Sequence, residues 1–481
     1  MRRAAMVLLA CCAFAPLGAQ GAGTAADRDK PPVLAPPPTL VLPKLSHGVL
    51  PNGVALKLVE HHALPLVQVT LVVRGGSRLD GTQPGLASFT ARMLSEGAGT
   101  RDANALVSEL TFLGANLGSS AGTDAFVISL NVPKRALGPA LDLMADVALR
   151  PMFRAAELKR QRDLRRAGIL QRRDQPATLA AMAFGQLVFP PGHPYHAPAD
   201  GDSASTAALD SANVRRFFEG AFVPSRASFV VVGDVTGPEM RALLLARFGT
   251  WTRSGAPLPL PPVAAPPVAN AARKLYLVDK PGAAQSVILL GEPGVDRLSP
   301  DYPALVVMNT ILGGSFSSRL NSNLRETKGY TYGIGSGFRW APIPGPFAVS
   351  SAVRTNVTDS SLVEIFREIA TIRDSTVPAK ELERAKAYVA LAIPGEFETN
   401  SEIAGQLVTL GSFGLPLTSV SAFVAKVGTV TAADVQRVAR RYIVPDRFTV
   451  VVVGDLAKIR SGVEALRLGA IAELTPTAIA R

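Results

Sequence analysis

The residues with the widest chemical repertoire are few in this chain. Five histidines and two cysteines in 481 residues leave metal, acid–base and thiol chemistry to a small, countable set. His61 and His62 are adjacent, and in a strand they would point to opposite faces and could not share a ligand. His193 and His196, with Asp200 nearby, have the donor types for a metal, but Pro194 and Pro198 make the segment a loop rather than a ligand-bearing helix. His47 stands alone and reads as a solvated surface residue. None of the five lies in His-x-x-Glu-His or His-Glu-x-x-His, spacings that bring two imidazoles one helical turn apart onto one metal. Gly118-Ser119-Ser120-Ala121-Gly122 has the pattern of a nucleophile elbow, which needs a strand before the serine and a helix after it. Here a helix-like segment precedes and a strand-like run follows, so the sequence predicts a turn and no serine nucleophile.

Both cysteines, Cys11 and Cys12, fall in the apolar stretch Ala4–Leu17 that follows Arg2 and Arg3 and leads into small residues around Ala19–Ala22. A charged start, a short apolar core and a small-residue exit predict a secretory signal peptide over residues 1–22 and export to the periplasm. The stretch is too short for a lasting transmembrane anchor. Leu8-Leu9-Ala10-Cys11 also resembles a lipoprotein box, which would retain Cys11 as a lipidated terminus. Cleavage after the cysteines would leave a mature chain without thiols.

The elements that must position any site come in two sets. Val223-Pro224-Ser225-Arg226 before Phe229-Val230-Val231-Val232-Gly233-Asp234 recurs, 221 positions later, as Val444-Pro445-Asp446-Arg447 before Val450-Val451-Val452-Val453-Gly454-Asp455. Gly185-Gln186-Leu187-Val188 recurs as Gly405-Gln406-Leu407-Val408. Such self-similarity predicts a tandem duplication. Proline-rich segments punctuate it, a leader over 23–44 and a linker over 256–270, leaving domains over 45–255 and 271–475. Leu66–Val73 and Ala125–Val132 read as strands. Leu137, Leu141, Met144 and Ala148 make an amphipathic helical stripe. Asp102 is placed to cap a helix carrying Leu106, Leu110 and Leu113. The order predicts an α+β fold, with helices on one face of a mixed or antiparallel sheet in each domain.

Composition narrows the function classes. With 47% hydrophobic and 18% charged residues the chain is too apolar to be mainly disordered. The formal charge of +12 comes from scattered basic residues with 6% aromatics, not the clustered stripe of a nucleic-acid binder. The densest patch, Lys159–Arg173, holds seven basic residues and one acid, Asp163, and reads as a solvated helix face.

Several segments together resemble the pitrilysin/insulinase family of zinc peptidases, which includes the mitochondrial processing peptidases. They are Leu50-Pro51-Asn52-Gly53-Val54, Gly75-Gly76-Ser77, Gly85-Leu86-Ala87-Ser88-Phe89-Thr90-Ala91-Arg92-Met93-Leu94 and His193-Pro194-Tyr195. The resemblance runs from about Leu50 to Leu468 and implies the family's metallohydrolase fold. Family members carry an inverted zinc motif, His-x-x-Glu-His, completed by a further glutamate downstream. Its positions here hold Ser88, Ala91 and Arg92, and the third ligand should fall near Gly168 or Ile169, where Leu164–Arg173 has no carboxylate. No metal is expected on this chain, and Arg92 would place a fixed cation where a dication should sit.

The second half keeps another family signature in Ser318-Arg319-Leu320, Leu324-Arg325-Glu326 and Gly329-Tyr330-Thr331-Tyr332-Gly333, preceded by the Gly313-Gly314 loop. The resemblance implies that Arg325 and Tyr332 are catalytic, contacting substrate and stabilising the tetrahedral oxyanion, with Gly313 and Gly314 beside the substrate. A guanidinium fork and a phenol hydroxyl suit that task. The expectation is a heterodimer in which this chain lends Arg325 and Tyr332 to a zinc-bearing partner subunit with intact His-x-x-Glu-His, for endoproteolysis of peptides or unfolded polypeptides. The alternative is a non-catalytic peptide-binding or scaffold protein.

Overall fold

The structure is a computed structural model that describes residues 40–252, 257–262 and 267–479. The expected signal segment with Cys11 and Cys12, most of the expected leader and parts of the linker lie outside the described residues. In the first half the strands are β1 (Leu45–Val49), β2 (Ala55–Glu60), β3 (Leu66–Arg74), a small hairpin of β4 (Gly97–Ala98) and β5 (Arg101–Asp102), β6 (Asn116–Ala121), β7 (Ala125–Pro133) and β8 (Ala227–Gly233). The helices are α1 (Leu86–Met93), α2 (Ala103–Phe112), α3 (Leu137–Leu149), α4 (Ala155–Gln171), α5 (Pro176–Val188), α6 (Ser203–Ala207), α7 (Ser211–Ala221) and α8 (Gly237–Phe248). The second half brings β9 (Lys274–Asp279), β10 (Gln285–Pro293), β11 (Thr331–Phe338), β12 (Pro346–Arg354), β13 (Thr449–Gly454) and β14 (Ala470–Leu474). Its helices include α9 (Tyr302–Asn309), α10 (Arg319–Asn321), α11 (Thr358–Asp374), α12 (Ala379–Ala392) and α13 (Asn400–Ser412).

Each half builds a six-stranded mixed sheet, in the order β1-β2-β8-β3-β7-β6 and, read from its opposite edge, β14-β9-β13-β10-β12-β11. Five of the six positions, from β2 to edge strand β6 and from β9 to edge strand β11, match strand for strand, as the duplication requires. The outer strand differs in origin: β1 precedes β2 and runs antiparallel to it, whereas β14 arrives from the chain end and runs parallel to β9. The predicted strands, the helix from Leu137 and the Asp102 cap, which accepts from the Ala105 amide at 2.8 Å, are all present.

The expectation that helices cover only one face of each sheet needs amending. Phe229, Val230, Val231 and Val232 are all buried, and so are Val450, Val451, Val452 and Val453. Alternate residues of a strand face opposite sides, so each of these strands is apolar on both faces and both must be covered. Phe229 and Val231 point into the first half's own core, and Val450 and Val452 into the second's. Val230 and Val232 instead meet Ile403, Ala404, Leu407 and Leu410 of α13, while Val451 and Val453 meet Leu179, Ala180, Ala183 and Phe184 of α5. Each half thus lends one helix to the sheet of the other, and the repeated Gly-Gln-Leu-Val motif lies on these two helices. A single compact unit runs from residue 39 to the end.

The loop at His193-Pro194-Tyr195 adds a clasp: the Tyr195 hydroxyl donates to the Ile343 carbonyl at 2.8 Å and the Arg339 guanidinium stacks 4.1 Å from its ring. His193 is buried and stacked on Phe189 at 4.5 Å, and His196 bonds the Phe189 carbonyl. His61 and His62 follow β2 rather than lying in it and bond Asn400 and Asp234, each at 2.6 Å. His47 is exposed on β1. The segment Gly118–Ala121 is strand β6, not the expected turn; the chain reverses afterwards, at Gly122–Asp124, because the Ser119 and Ser120 backbones pair with Ile128 and Val127.

Candidate functional site

Two places concentrate the family-type residues, one in each half. The first is helix α1, which begins at Gly85 in the left-handed region at φ 89°. Asp80 caps it, accepting from the Gly85 amide at 2.9 Å and the Ala87 amide at 2.7 Å. Burial pushes the Asp80 carboxyl up to about 7, against the pull of those two amides and of Arg165. A side chain at Gly85 would meet the Asp200 carbonyl at 2.6 Å, so only glycine lets this loop cross the helix start. Ser119 of edge strand β6 donates to the Ala91 carbonyl at 2.7 Å and ties strand to helix.

Ser88, Ala91 and Arg92, where the resemblance expects the zinc motif, lie on this helix, and Ser88 and Arg92 meet α4. Arg165 of α4 donates through one nitrogen to the Gly85 carbonyl at 2.9 Å, the Ser88 hydroxyl at 3.1 Å and the Asp200 carbonyl at 3.3 Å. Its guanidinium lies 4.9 Å over the Phe89 ring. Arg92 donates to Gln161 at 3.3 Å and lies 3.7 Å from Glu96. Glu96, 6% exposed, is further bonded by Gln161 at 2.6 Å and by Arg160. Of the two positions expected for a third ligand, Gly168 lines the same cavity as Arg92, Gln161 and Arg165 and carries no donor, while Ile169 is buried in packing; Gln161 and Arg165 are the α4 residues that reach Arg92 and Ser88. Steps of four along the helix bring 161 and 165 to one face, and the sequence could not say which turn of α4 lies opposite α1. The side chains present do not fit zinc. Two guanidiniums, a hydroxyl and a carboxamide occupy the space, and Glu96, the carboxylate beside Arg92, is engaged by its own donors.

These residues border an open cavity of about 540 Å³ whose wall includes Arg92, Arg165, Arg172, Leu164 and Asp200. Reading Lys159–Arg173 as a solvated face holds for its outer residues, but Arg165 and Arg172 turn inward. Arg172 pairs with Asp200 and donates to the Gly201 carbonyl at 3.0 Å. Burial, and then the neighbouring Arg172, push the Arg165 guanidinium down to about 10, so it stays cationic at neutral pH. Asp200, near His193 and His196 in sequence, is thereby spent on Arg172, and among the described residues no cluster of three His, Cys, Asp or Glu could hold a metal.

The second place is the segment between α9 and β11. Its helical turns are wide, over Thr310–Gly314 and Ser322–Thr327, a geometry that recurs at functional sites. Arg319 fixes the segment through a two-pronged pair with Glu381, at 2.9 and 2.6 Å. Arg325 follows, its guanidinium 4.4 Å over the exposed Phe316 ring and 3.2 Å from Glu326. Gly329, at φ 62°, turns the chain into β11.

β11 is the sheet edge that corresponds to β6 in the first half. Its pairing with β12 slips after Thr331: Thr331 faces Val353, but the next partnered residue is Ile334, opposite Ser351. Tyr332 and Gly333 form this bulge, which the Gly333 amide pins by donating to the Thr331 hydroxyl at 3.0 Å. Tyr332 is left 90% exposed, its hydroxyl without a partner among the described residues. The structure therefore brings Arg325 and Tyr332 onto one short segment facing solvent, in contact with each other's elements but not bonded to one another. Gly313 and Gly314 are packing positions in this segment. A side-chain carbon on Gly313 would sit 2.5 Å from the Ser336 hydroxyl and one on Gly314 2.6 Å from Asn309, so both glycines let the helical turn seat against its neighbours.

Residues 57–183 match the family description "Insulinase (Peptidase family M16)", and residues 208–389 match "Peptidase M16 inactive domain". The chain belongs to this family, and its second match is to the inactive type of domain. A crystal structure titled as a peptidase M16 inactive domain from Pseudomonas fluorescens shares 29% identity and superimposes with a TM-score of 0.78, covering 85% of this chain and 98% of that one. An uncharacterised zinc protease of Mycobacterium leprae is 28% identical over 345 residues, 70% of this chain and 75% of that protein. A Helicobacter pylori protein named as a non-peptidase homologue, YmxG, is 22% identical over 360 residues, 74% of this chain and 82% of its own length. No helix among the described residues is long and apolar enough to cross a membrane.

Proposed function

We propose that this chain is an exported, non-zinc subunit of a two-chain peptidase, which lends Arg325 and Tyr332 to a zinc-bearing partner subunit that cuts peptides or unfolded segments. The observation that carries this reading is the contrast between the two halves. The motif helix α1 is filled by Arg165, Arg92 and Gln161, while the bulge at β11 holds Tyr332 out in solvent with its hydroxyl free. A phenol presented this way is available to a substrate carbonyl seated on another chain, and Arg325 on the preceding turn adds a delocalised cation to the same face. Zinc chemistry, the attacking water and the general base would all belong to the partner. The signal-like start, with its charged, apolar and small-residue regions, supports a periplasmic location.

A scaffold without any catalytic part is the second reading, favoured by the name of the Helicobacter relative. The two separate in an assembled complex. Copurification from periplasm should bring down a related chain with intact His-x-x-Glu-His. In that complex Tyr332→Phe should lower kcat by about 10²–10³-fold, the cost of one oxyanion donor, with little change in KM. Unchanged turnover would leave the scaffold reading standing.

A further inference from the structure

The side chains that make the first-half cavity unfit for zinc suit another ligand. Arg165 is the central case. Its three bonds all go to neutral acceptors through one nitrogen, and no carboxylate lies within ion-pairing distance of it among the described residues. The remaining guanidinium nitrogens make no hydrogen bond there. This partly buried cation is bonded only to neutral oxygens, and the Asp80 carboxyl that interacts with it at longer range is itself pushed up to about 7 by burial, so Arg165 is left short of the full counter-charge that its desolvation calls for. Arg92, 60% exposed, stands on one side of the cavity and Arg172 on the other. Against these three guanidiniums two carboxylates stand at ion-pairing distance, Asp200 on Arg172 and Glu96 3.7 Å from Arg92, and neither reaches Arg165. The site is therefore cationic, about 540 Å³ in volume, and edged by the exposed apolar side chain of Leu164.

We propose that this cavity is a carboxylate-binding site, in which the free edge of the Arg165 guanidinium, flanked by Arg92, receives an anionic group of a peptide. A guanidinium edge matches the two oxygens of a carboxylate, and the surrounding protein excludes enough water to make the bond strong. The carboxylate is either the C-terminus of a peptide or an aspartate or glutamate side chain, and Leu164 offers apolar contact to the adjoining residue. Edge strand β6, bonded to α1 through Ser119, runs past the same helix. The motif helix would thus keep its place beside the substrate while exchanging metal chemistry for charge recognition. The inference rests on the reading that this chain handles peptides, but not on Arg325, Tyr332 or a partner.

The test uses the full mature chain alone and four fluorescein-labelled peptides of one sequence: free acid or C-terminal amide, each with an internal Glu or Gln. Anisotropy at low and high salt gives Kd for each. The expected result is at least tenfold tighter binding of the carboxylate-bearing peptides, weakened by salt, and the four peptides show which carboxylate is read. Arg165→Gln should abolish the preference. Because Arg165 also bonds the α1 loop, Arg92→Gln provides an exposed second variant: it should reduce the preference several-fold at an unchanged Tm. Equal binding of all four peptides, no binding of any, or a preference that survives both substitutions overturns the proposal. A preference found here with no turnover in any complex would leave this site standing and sink only the two-chain peptidase reading.

Discussion

Replacing Phe184 by alanine removes a ring that is 4% exposed and belongs to α5 of the first half, yet packs against the sheet of the second. Truncating a buried phenylalanine costs ~3–5 kcal/mol, from lost burial and from the cavity left behind. Unfolding entropy of roughly 2.1 cal/mol/K per residue, summed from residue 39 to the end, comes to about 0.9 kcal/mol/K, so ~4 kcal/mol lowers Tm by about 4 °C. The location of the loss matters more than its size. If the exchanged helices couple the halves, both unfold together and both register the whole effect. The chain has two tryptophans, one in each half: Trp251 is 8% exposed in the first core, and Trp340 stacks on Phe338 at 5.0 Å in the second. Single-tryptophan variants, Trp340→Phe and Trp251→Phe, therefore report the halves separately during urea unfolding. Phe184→Ala should shift both transitions to lower urea by the same amount. A shift confined to one probe, or two transitions already separate without the substitution, would refute the coupling argument.

Other predictions follow from single sites. Gly313→Ala should destabilise the protein by ~1–3 kcal/mol, as overpacked positions do, because its new carbon meets Ser336 at 2.5 Å; differential scanning calorimetry without any substrate reads this. Burial pushes the Glu292 carboxyl up to about 7, while the Val444 amide donates to it. Its folded state therefore holds the proton more tightly than its unfolded state, and the stability this gives is full below pH 4.5 and is lost as pH rises through about 7. Glu292→Gln should flatten the stability–pH curve across that window, by up to ~3 kcal/mol at 1.36 kcal/mol per pK unit, and an unaltered curve would count against it. Ser88→His with Arg92→His should take up zinc only when a carboxylate is added on the α4 face that lines the same cavity, by Gln161→Glu or Gly168→Glu, as measured by metal analysis after dialysis. Zinc uptake by the two-histidine variant without either carboxylate would refute the need for a ligand from α4.

Much of this protein is legible in its sequence because local rules govern those parts. Alternation and apolar stripes marked β3, β7 and α3; a carboxylate before a helical run marked the Asp102 cap. The repeated Val-Pro-x-Arg and Gly-Asp segments gave the duplication, since copied sequence folds to copied structure. The loss of His-x-x-Glu-His was also visible, because donor types are a property of the residues themselves. Ser119 was misplaced in a turn because small polar residues favour turns, and only pairing with β7 made the segment a strand.

What the sequence could not contain was who faces whom. The runs of valine at 230–232 and 450–453 announced strands apolar on both sides, but not that α5 and α13 are exchanged to cover them. That exchange depends on contacts between residues roughly 100 or more positions apart, whose cost and reward are settled only when both sheets exist. Arg325 and Tyr332 stood out through a resemblance, whereas the bulge that exposes Tyr332 comes from its pairing partner β12. Arg165 looked like one cation among seven on a solvated helix. Only the turn of α4 that meets α1 placed it against Ser88 without a bonded carboxylate, because a helix face acquires its partner from tertiary packing and not from its own periodicity.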